Sequence, residues 1–256
     1  MAFLEIMDLS TYKKAPKTID FNELIIFENQ NYVVINKPAF VPSLDERTAD
    51  KSLSILRLAR EKFGDIQLCH RLDKETSGAL VLAKNPDAYR NLAIQFEHRE
   101  VQKEYHAVVN GVHDFDSISV FLPIAPLKDG TAVRIDKIKG KIAETIFFTV
   151  QKFSRHTLLR CIPITGRMHQ IRVHLQCLKA PIVCDTTYGG DLIFLSQIKR
   201  KFNLKTDTEE LPLIKRVALH AHSIKFKDLD GEILEITAPY AHDMQVLINQ
   251  LMKSLK

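Results

Sequence analysis

The chain has 256 residues, a formal net charge of +5, and 45% apolar against 26% charged residues. That balance describes a globular protein with chain enough for a real core, and it excludes an intrinsically disordered chain or a coiled coil. No apolar run approaches the ~18 residues of a membrane span. The first ten residues carry Glu5 and Asp8 instead of a basic leader, so the expected location is the cytoplasm.

Residues 1–21 are polar and patternless and read as an arm ahead of a single domain over 22–256. Two short β-rich runs, 24–27 and 32–35, flank a turn, and Lys37-Pro38 ends the second. Ile55, Leu58, Ala59 and Phe63 keep a helical period that Gly64 stops. The apolar run 78–83 has strand length. Asn85-Pro86 then opens a helix, with Tyr89, Leu92, Ala93 and Phe96 as its inward stripe. Residues 103–109 alternate as a strand, with Tyr105, Ala107 and Val109 on one side. Residues 113–142 read as a long irregular basic loop or ribbon holding Lys128, Arg134, Lys137, Lys139 and Lys141.

Strands are expected over 144–150 and 158–164. A helix is expected from Thr165-Gly166, with Met168, Ile171, Leu175 and Leu178 at core spacing. Residues 182–184 are β-like, Gly189-Gly190 is a turn and 203–215 a loop. Two more strands, 219–226 and 233–237, precede a closing helix that buries Met244, Leu247, Ile248, Leu251 and Leu255. The βαβα alternation of a doubly wound fold is absent. The fold class is α+β, a largely antiparallel mixed β-sheet flanked by helices.

The charge is uneven. Residues 151–200 hold eight Lys and Arg against two Asp and Glu, a surplus larger than the whole net charge. Five of those eight are arginines, which points to an anionic partner. The four cysteines, Cys69, Cys161, Cys177 and Cys184, form no C-x-x-C pair and no zinc-ligand spacing, which predicts reduced, buried thiols.

Three segments could carry chemistry. His70-Arg71-Leu72-Asp73-Lys74-Glu75-Thr76-Ser77-Gly78 is a polar loop abutting an apolar strand, a place where a carboxylate is rigidly held; a turn of solvated side chains has the same pattern. Gly166-Arg167-Met168-His169-Gln170-Ile171-Arg172-Val173-His174 combines a helix start with arginines and favours a phosphate or carboxylate. His169 and His174 are five apart and fall on different helix faces, so no metal site is expected. Tyr105, in Lys103-Glu104-Tyr105, is either core or a ring that stacks on a base or moves a proton. P-loop, dinucleotide, nucleophile-elbow and H-E-x-x-H motifs do not occur.

Together these segments resemble the pseudouridine synthases of the RluA type. Residues 70–78 are similar to that family's H-R-L-D-x-x-T-S-G, and Lys103-x-Tyr105 to its K-x-Y. Residues 140–145 resemble G-K-x-A-x-T. Residues 163–174 resemble P-x-T-G-R-x-H-Q-I-R-x-H, followed by Asp185-x-x-Tyr188-Gly189-Gly190. Residues 219–221 resemble the late L-H-A. Six motifs in the family's order span most of the chain. One departure is Phe40, in Asn36-Lys37-Pro38-Ala39-Phe40, where the family has glycine. Another is the short stretch before Leu24, from which the S4 domain of many relatives is not expected here.

The resemblance implies isomerisation of uridine to pseudouridine in ribosomal or transfer RNA, on the pseudouridine synthase fold. Asp73 would be the nucleophile, or the base of an elimination. Arg172 would pair with it, and Tyr105 would stack on the uracil and assist removal of the C5 proton. Arg71 would fill the space left by the flipped nucleotide. His70, Thr76, Lys141, Arg167 and His169 would contact the substrate. Neither a metal nor an organic cofactor is expected, and a monomer is the default. The alternative is a non-catalytic RNA-binding or ribosome-assembly protein on the same fold, for which a substituted aspartate would be expected.

Overall fold

The computed structural model describes residues 18–45, 53–199, 202–204 and 208–255. The expected N-terminal arm lies outside them up to residue 17. Its centre is a ten-stranded sheet. The path across it runs β1 (Ile25–Glu28), β2 (Tyr32–Lys37), β4 (Ser77–Ala83), β11 (Leu219–Lys227), β5 (Gln102–Asn110), β10 (His156–Pro163), β9 (Glu144–Lys152), β6 (Ile118–Phe121). The short β3 (Gln67–Leu68) pairs with β4, and β12 (Ile233–Thr237) with β11. Every pair in the sheet is antiparallel except β4 with β11. A separate ribbon joins β7 (Ile124–Pro126) to β8 (Val133–Ile135).

The α+β reading therefore holds, and the runs expected at 24–27, 32–35, 78–83, 103–109, 144–150, 158–164, 219–226 and 233–237 each coincide with a strand to within a residue or two. Strand β4 is buried along its whole length, as its unbroken apolar sequence requires of a strand covered on both faces. Ala79, Val81 and Ala83 face the cluster that includes Tyr32, Leu92 and Phe226, while Leu80 and Leu82 face Ile35, Ile55 and Ala59. Helix α1 (Phe21–Leu24) leads into β1. Helix α2 (Ile55–Phe63) is capped by the Ser54 side chain and ends at Gly64 with φ +71. Helix α3 (Pro86–Glu97) starts as predicted, with the Asn85 side-chain Oδ1 accepting the Ala88 N–H.

One rung crosses the sheet and gathers the motifs. Lys37 lies opposite Gly78, Gly78 beside Ala221, Ala221 opposite Tyr105 and Tyr105 opposite Cys161. Because β4 and β11 are parallel, the segments that precede them, 70–76 and 212–218, enter the sheet from the same end. Gly78 is what lets them meet. Its φ is +115, and a Cβ there would sit 2.1 Å from the Ala221 carbonyl oxygen.

Several local expectations are corrected. Of the loop or ribbon expected over 113–142, the ribbon is what forms, with β6, β7 and β8 in place of an irregular run, because its backbone pairs with itself and with Lys141. The buried positions of α3 are Ala88, Leu92 and Gln95, with Tyr89 exposed, because the Gln95 amide bonds to the Lys227 backbone of β11. The helix expected from Thr165-Gly166 begins only at Gln170 (α4, Gln170–Cys177). Residues 182–184 make a single bridge, Val109 to Ile182, not a strand. A short helix α5 (Leu195–Ile198) precedes the 203–215 segment, whose described residues have no regular structure. Helix α6 (His242–Lys253) buries Met244, Leu247, Ile248 and Leu251, while Leu255 lies past its end and is exposed. None of the four cysteines is in a disulfide, and Cys177 is exposed where a buried thiol was expected.

The contact at Gly78 is testable. Gly78→Ala should destabilise the protein by roughly 2–5 kcal/mol in urea denaturation. A loss below about 0.5 kcal/mol would contradict the backbone approach of β4 to β11.

Candidate active site

Asp73 opens a tight turn in which the Thr76 N–H donates to the Asp73 carbonyl at 3.0 Å. The neighbouring carbonyls are all taken from below. The Ser43 hydroxyl donates to Leu72 O at 3.0 Å. Lys74 O accepts the Phe40 N–H at 2.7 Å and the Lys37 ammonium at 3.3 Å. Glu75 O accepts an Arg216 N–H at 3.1 Å.

Lys37 and Arg216 are both fully buried. Lys37 Nζ also donates to Pro38 O and Val41 O, each at 2.9 Å. Burial, and then the charge of Arg216, pull its ammonium down to about 7, with Asp73 opposing. Arg216 forks onto Asp243 at 2.8 Å on both arms and donates to Ser77 Oγ at 3.0 Å. Because His220 Nε2–H faces the Ala238 carbonyl, its Nδ1 accepts the Ser77 hydroxyl at 2.9 Å. The Asp73 turn is thus held by its backbone, and its carboxylate, about 30% exposed, is left facing the cleft.

The facing wall comes from 163–172. Gln170 is its fastener. The Gln170 Oε1 accepts the Thr165 hydroxyl at 2.6 Å and the Arg167 N–H at 3.1 Å, while Nε2 donates to Glu144 O and Thr145 Oγ1. Those bonds keep 165–169 out of the helix and put His169 in the left-handed region at φ +51. His174 is fully buried between Thr145 and the Leu122 carbonyl, a hydrogen-bonded helix residue and nothing more.

Arg172 does not pair with Asp73. It forks onto Asp185, Nε to Oδ2 at 2.6 Å and Nη2 to Oδ1 at 2.7 Å, and its guanidinium lies 4.9 Å from the Tyr188 ring centroid. Burial opposes the Arg172 charge, but the Asp185 hydrogen bonds and the charges of Asp185 and Asp73 outweigh it. His169 stands beside Asp73, with Nε2 at 3.9 Å from Asp73 Oδ2 and Nδ1 at 3.1 Å from the Tyr188 hydroxyl. Burial and then Arg172 push the His169 pKa down, so at neutral pH it is an uncharged neighbour.

These elements enclose a cleft of about 500 Å³. Arg71, Arg99, Lys103, Arg167 and Arg172 line it against Asp73 and Glu97, a wall built for an anion. Tyr105 closes the floor. Burial and then the Asp73 charge raise its phenol well above the usual range, so it stays protonated.

A family model described as RNA pseudouridylate synthase matches residues 31–177. The chain belongs to the RNA pseudouridylate synthase family. The ribosomal large subunit pseudouridine synthase C of Vibrio vulnificus (strain CMCP6) is 34% identical over 244 residues, spanning 94% of this chain and 73% of that protein. The same-named protein of Escherichia coli (strain K12) is 33% identical, spanning 90% of this chain and 70% of its own. Among solved structures, human RNA pseudouridylate synthase domain containing 4 superposes with a TM-score of 0.67 at 25% identity, over 91% of this chain and 94% of that one. The chain is therefore an enzyme, an RNA uridine isomerase, and the non-catalytic alternative falls away.

Of the residues expected in this synthase's site, Asp73, Tyr105, Arg172, Arg71, His70, Thr76, Arg167 and His169 all line the cleft. Their surroundings differ. Arg71 and Arg167 are exposed at its rim, and Arg167 Nε reaches Ile142 O at 3.3 Å. Thr76 is buried. His70 Nε2 accepts the Val81 N–H at 3.1 Å and its ring tilts against Phe96. Burial and then Lys103 hold it down to about 3, so it braces the turn as a neutral ring. Lys141 is exposed on the ribbon and is not among the lining residues.

Sequence reading missed Lys37, Ser43, Arg216 and the Asp185 fork. Their only early signal was the Asn36-Lys37-Pro38 and Asp185-x-x-Tyr188 motifs. Among the described residues, Glu104, His106 and His222 bring ligand atoms within 4.8 Å of one another. Glu104 and His106 alternate with Tyr105 on β5, so that group sits on the far face of the sheet from the cleft.

Asp185→Ala should destabilise the synthase by about 3–5 kcal/mol, because it strands a buried guanidinium. Asp185→Asn, which keeps an acceptor, should lose less. Wild-type stability for the alanine variant in chemical denaturation would show that the fork is not what holds Arg172.

Proposed function

We propose that this synthase isomerises uridine in large-subunit ribosomal RNA through Asp73. The observation that carries the reading is the convergence of Asp73, on its pinned turn, with Tyr105 in one cation-lined cleft. The curated relatives that match over 90% and 94% of this chain are named for the large ribosomal subunit, which supports ribosomal RNA as the substrate class.

The reaction breaks the C1′–N1 bond of uridine and makes a C1′–C5 bond. A proton leaves C5 and N1 gains one, so atoms and electrons balance within the substrate. Asp73 attacks C1′ or C6, or acts as base in an elimination; each route needs the carboxylate held against a nucleotide that cannot drift. The bonded carbonyls of 72–75 supply that hold. Arg172, committed to Asp185, acts as a fixed positive charge behind the Asp73 side chain and not as its partner.

Tyr105 stacks on the uracil. Its phenol is held protonated, so its help with the C5 proton requires passing its own proton on, and Asp73 is the charge that faces it. Arg71, exposed at the rim, enters the stem as the uridine leaves and offsets part of an unstacking cost of a few kcal/mol. Arg167 meets phosphate at the rim. Lys141, outside the cleft, meets RNA flanking it, while Thr76 and His169 shape the pocket around the bound nucleotide.

Asp73→Ala should abolish pseudouridine formation in ribosomal RNA prepared from cells lacking the gene, a fall of at least about a thousandfold. Affinity for that RNA should stay within about threefold, since phosphate contacts dominate it. Turnover within tenfold of wild type would remove Asp73 from the chemistry.

A further inference from the structure

Lys103 is the one lining cation on the floor strand itself. It stands two residues before Tyr105 on β5, so the two side chains share a face, about 6.8 Å apart along the strand. That step is the length of about one nucleotide of extended RNA backbone. The ammonium rests over the Phe96 ring, 5.9 Å from its centroid. Across from it is Gly166, where an added Cβ would stand 3.8 Å from Nζ, at contact distance, so the opposite wall meets the amine without a side chain.

Among the described residues the Lys103 ammonium has no hydrogen-bond acceptor and no carboxylate within ion-pair distance. The other cations are placed differently. Arg172 is spent on Asp185, Arg167 leans on Ile142 O, and Arg71 is exposed at the rim. Burial pulls Lys103 down to about 8, so near neutral pH it still carries a charge, and that charge lacks an oxygen to face.

Resting on the functional reading above, we propose that Lys103 binds the RNA phosphate next to the flipped uridine. It docks the nucleotide that neighbours the base stacked on Tyr105. An anionic oxygen entering from the cleft that Phe96 and Gly166 also line would accept the ammonium's free N–H groups in a half-buried setting, where a charge-assisted bond is strong. Lys103 is then a substrate-binding residue that sets the register of the strand in the cleft and takes no part in bond breaking.

The test compares wild type, Lys103→Met and Lys103→Arg on ribosomal RNA from cells lacking the gene. It also measures the salt dependence of binding to a short fluorescein-labelled oligouridylate. Lys103→Met should raise KM about tenfold while the single-turnover rate at saturating RNA stays within about twofold. Its slope of log affinity against log salt should be shallower by about 0.7, one phosphate contact on a single strand. Lys103→Arg should keep the wild-type slope.

A Lys103→Met variant with wild-type KM and wild-type slope overturns the proposal, as does one that loses kcat with an unchanged slope, the signature of a merely structural lysine. If Lys103→Met does not fold, Lys103→Gln must show the same slope change. Wild-type protein that makes no pseudouridine in the RNA would instead sink the functional reading, and the oligouridylate slope would still decide on Lys103.

Discussion

The carbonyl oxygens of residues 72–75 are the constraint on which the site depends. Each accepts a hydrogen bond, from Ser43, Thr76, Phe40 with Lys37, and Arg216 in turn. Two of those donors are fully buried cations. A turn carrying a reactive carboxylate is usually mobile, because its backbone bonds to water. Here the backbone bonds inward, so the Asp73 side chain projects from a platform as rigid as the sheet. Arg216 extends the platform through Ser77, His220 and Asp243 to helix α6, which ties the last helix of the chain to the turn at residue 73.

The sheet explains why motifs scattered over more than 150 residues act together. The single parallel pair, β4 with β11, lets the 70–76 and 212–218 segments enter side by side, and the antiparallel partner β5 then brings Tyr105 to the same rung. Gly78 makes that pair close enough. On the other wall, Gln170 joins the turn at 165–167 to β9 and so fixes the segment from which Arg167, His169 and Arg172 line the cleft. Many motif residues, including Gln170, His174 and His70, turn out to hold geometry and leave the chemistry to few side chains.

Much of the fold was legible because its signals are local. Alternation in 103–109 and the Asn85-Pro86 cap need only neighbouring residues to work, and both are seen where expected. The start of α4 was not legible. Thr165-Gly166 has cap chemistry, but the Gln170 side chain takes the Thr165 hydroxyl and the Arg167 N–H first. The partner of Arg172 was also hidden, since spacing cannot choose between Asp73 and Asp185. Phe40 shows how sequence distance misleads. It precedes Asp73 by more than thirty residues, yet it adopts φ +67, the conformation a glycine would take freely, and its N–H bonds the carbonyl of Lys74, the residue after Asp73.

The central claim is that this cleft isomerises uridine in ribosomal RNA through Asp73. Its most direct test is a map of pseudouridines in large-subunit ribosomal RNA from cells lacking the gene, complemented with either wild type or Asp73→Ala. The account predicts at least one pseudouridine that is lost on deletion, returns with wild type and stays absent with Asp73→Ala. A map that deletion leaves unchanged, or a site that the Asp73→Ala variant restores, would contradict it.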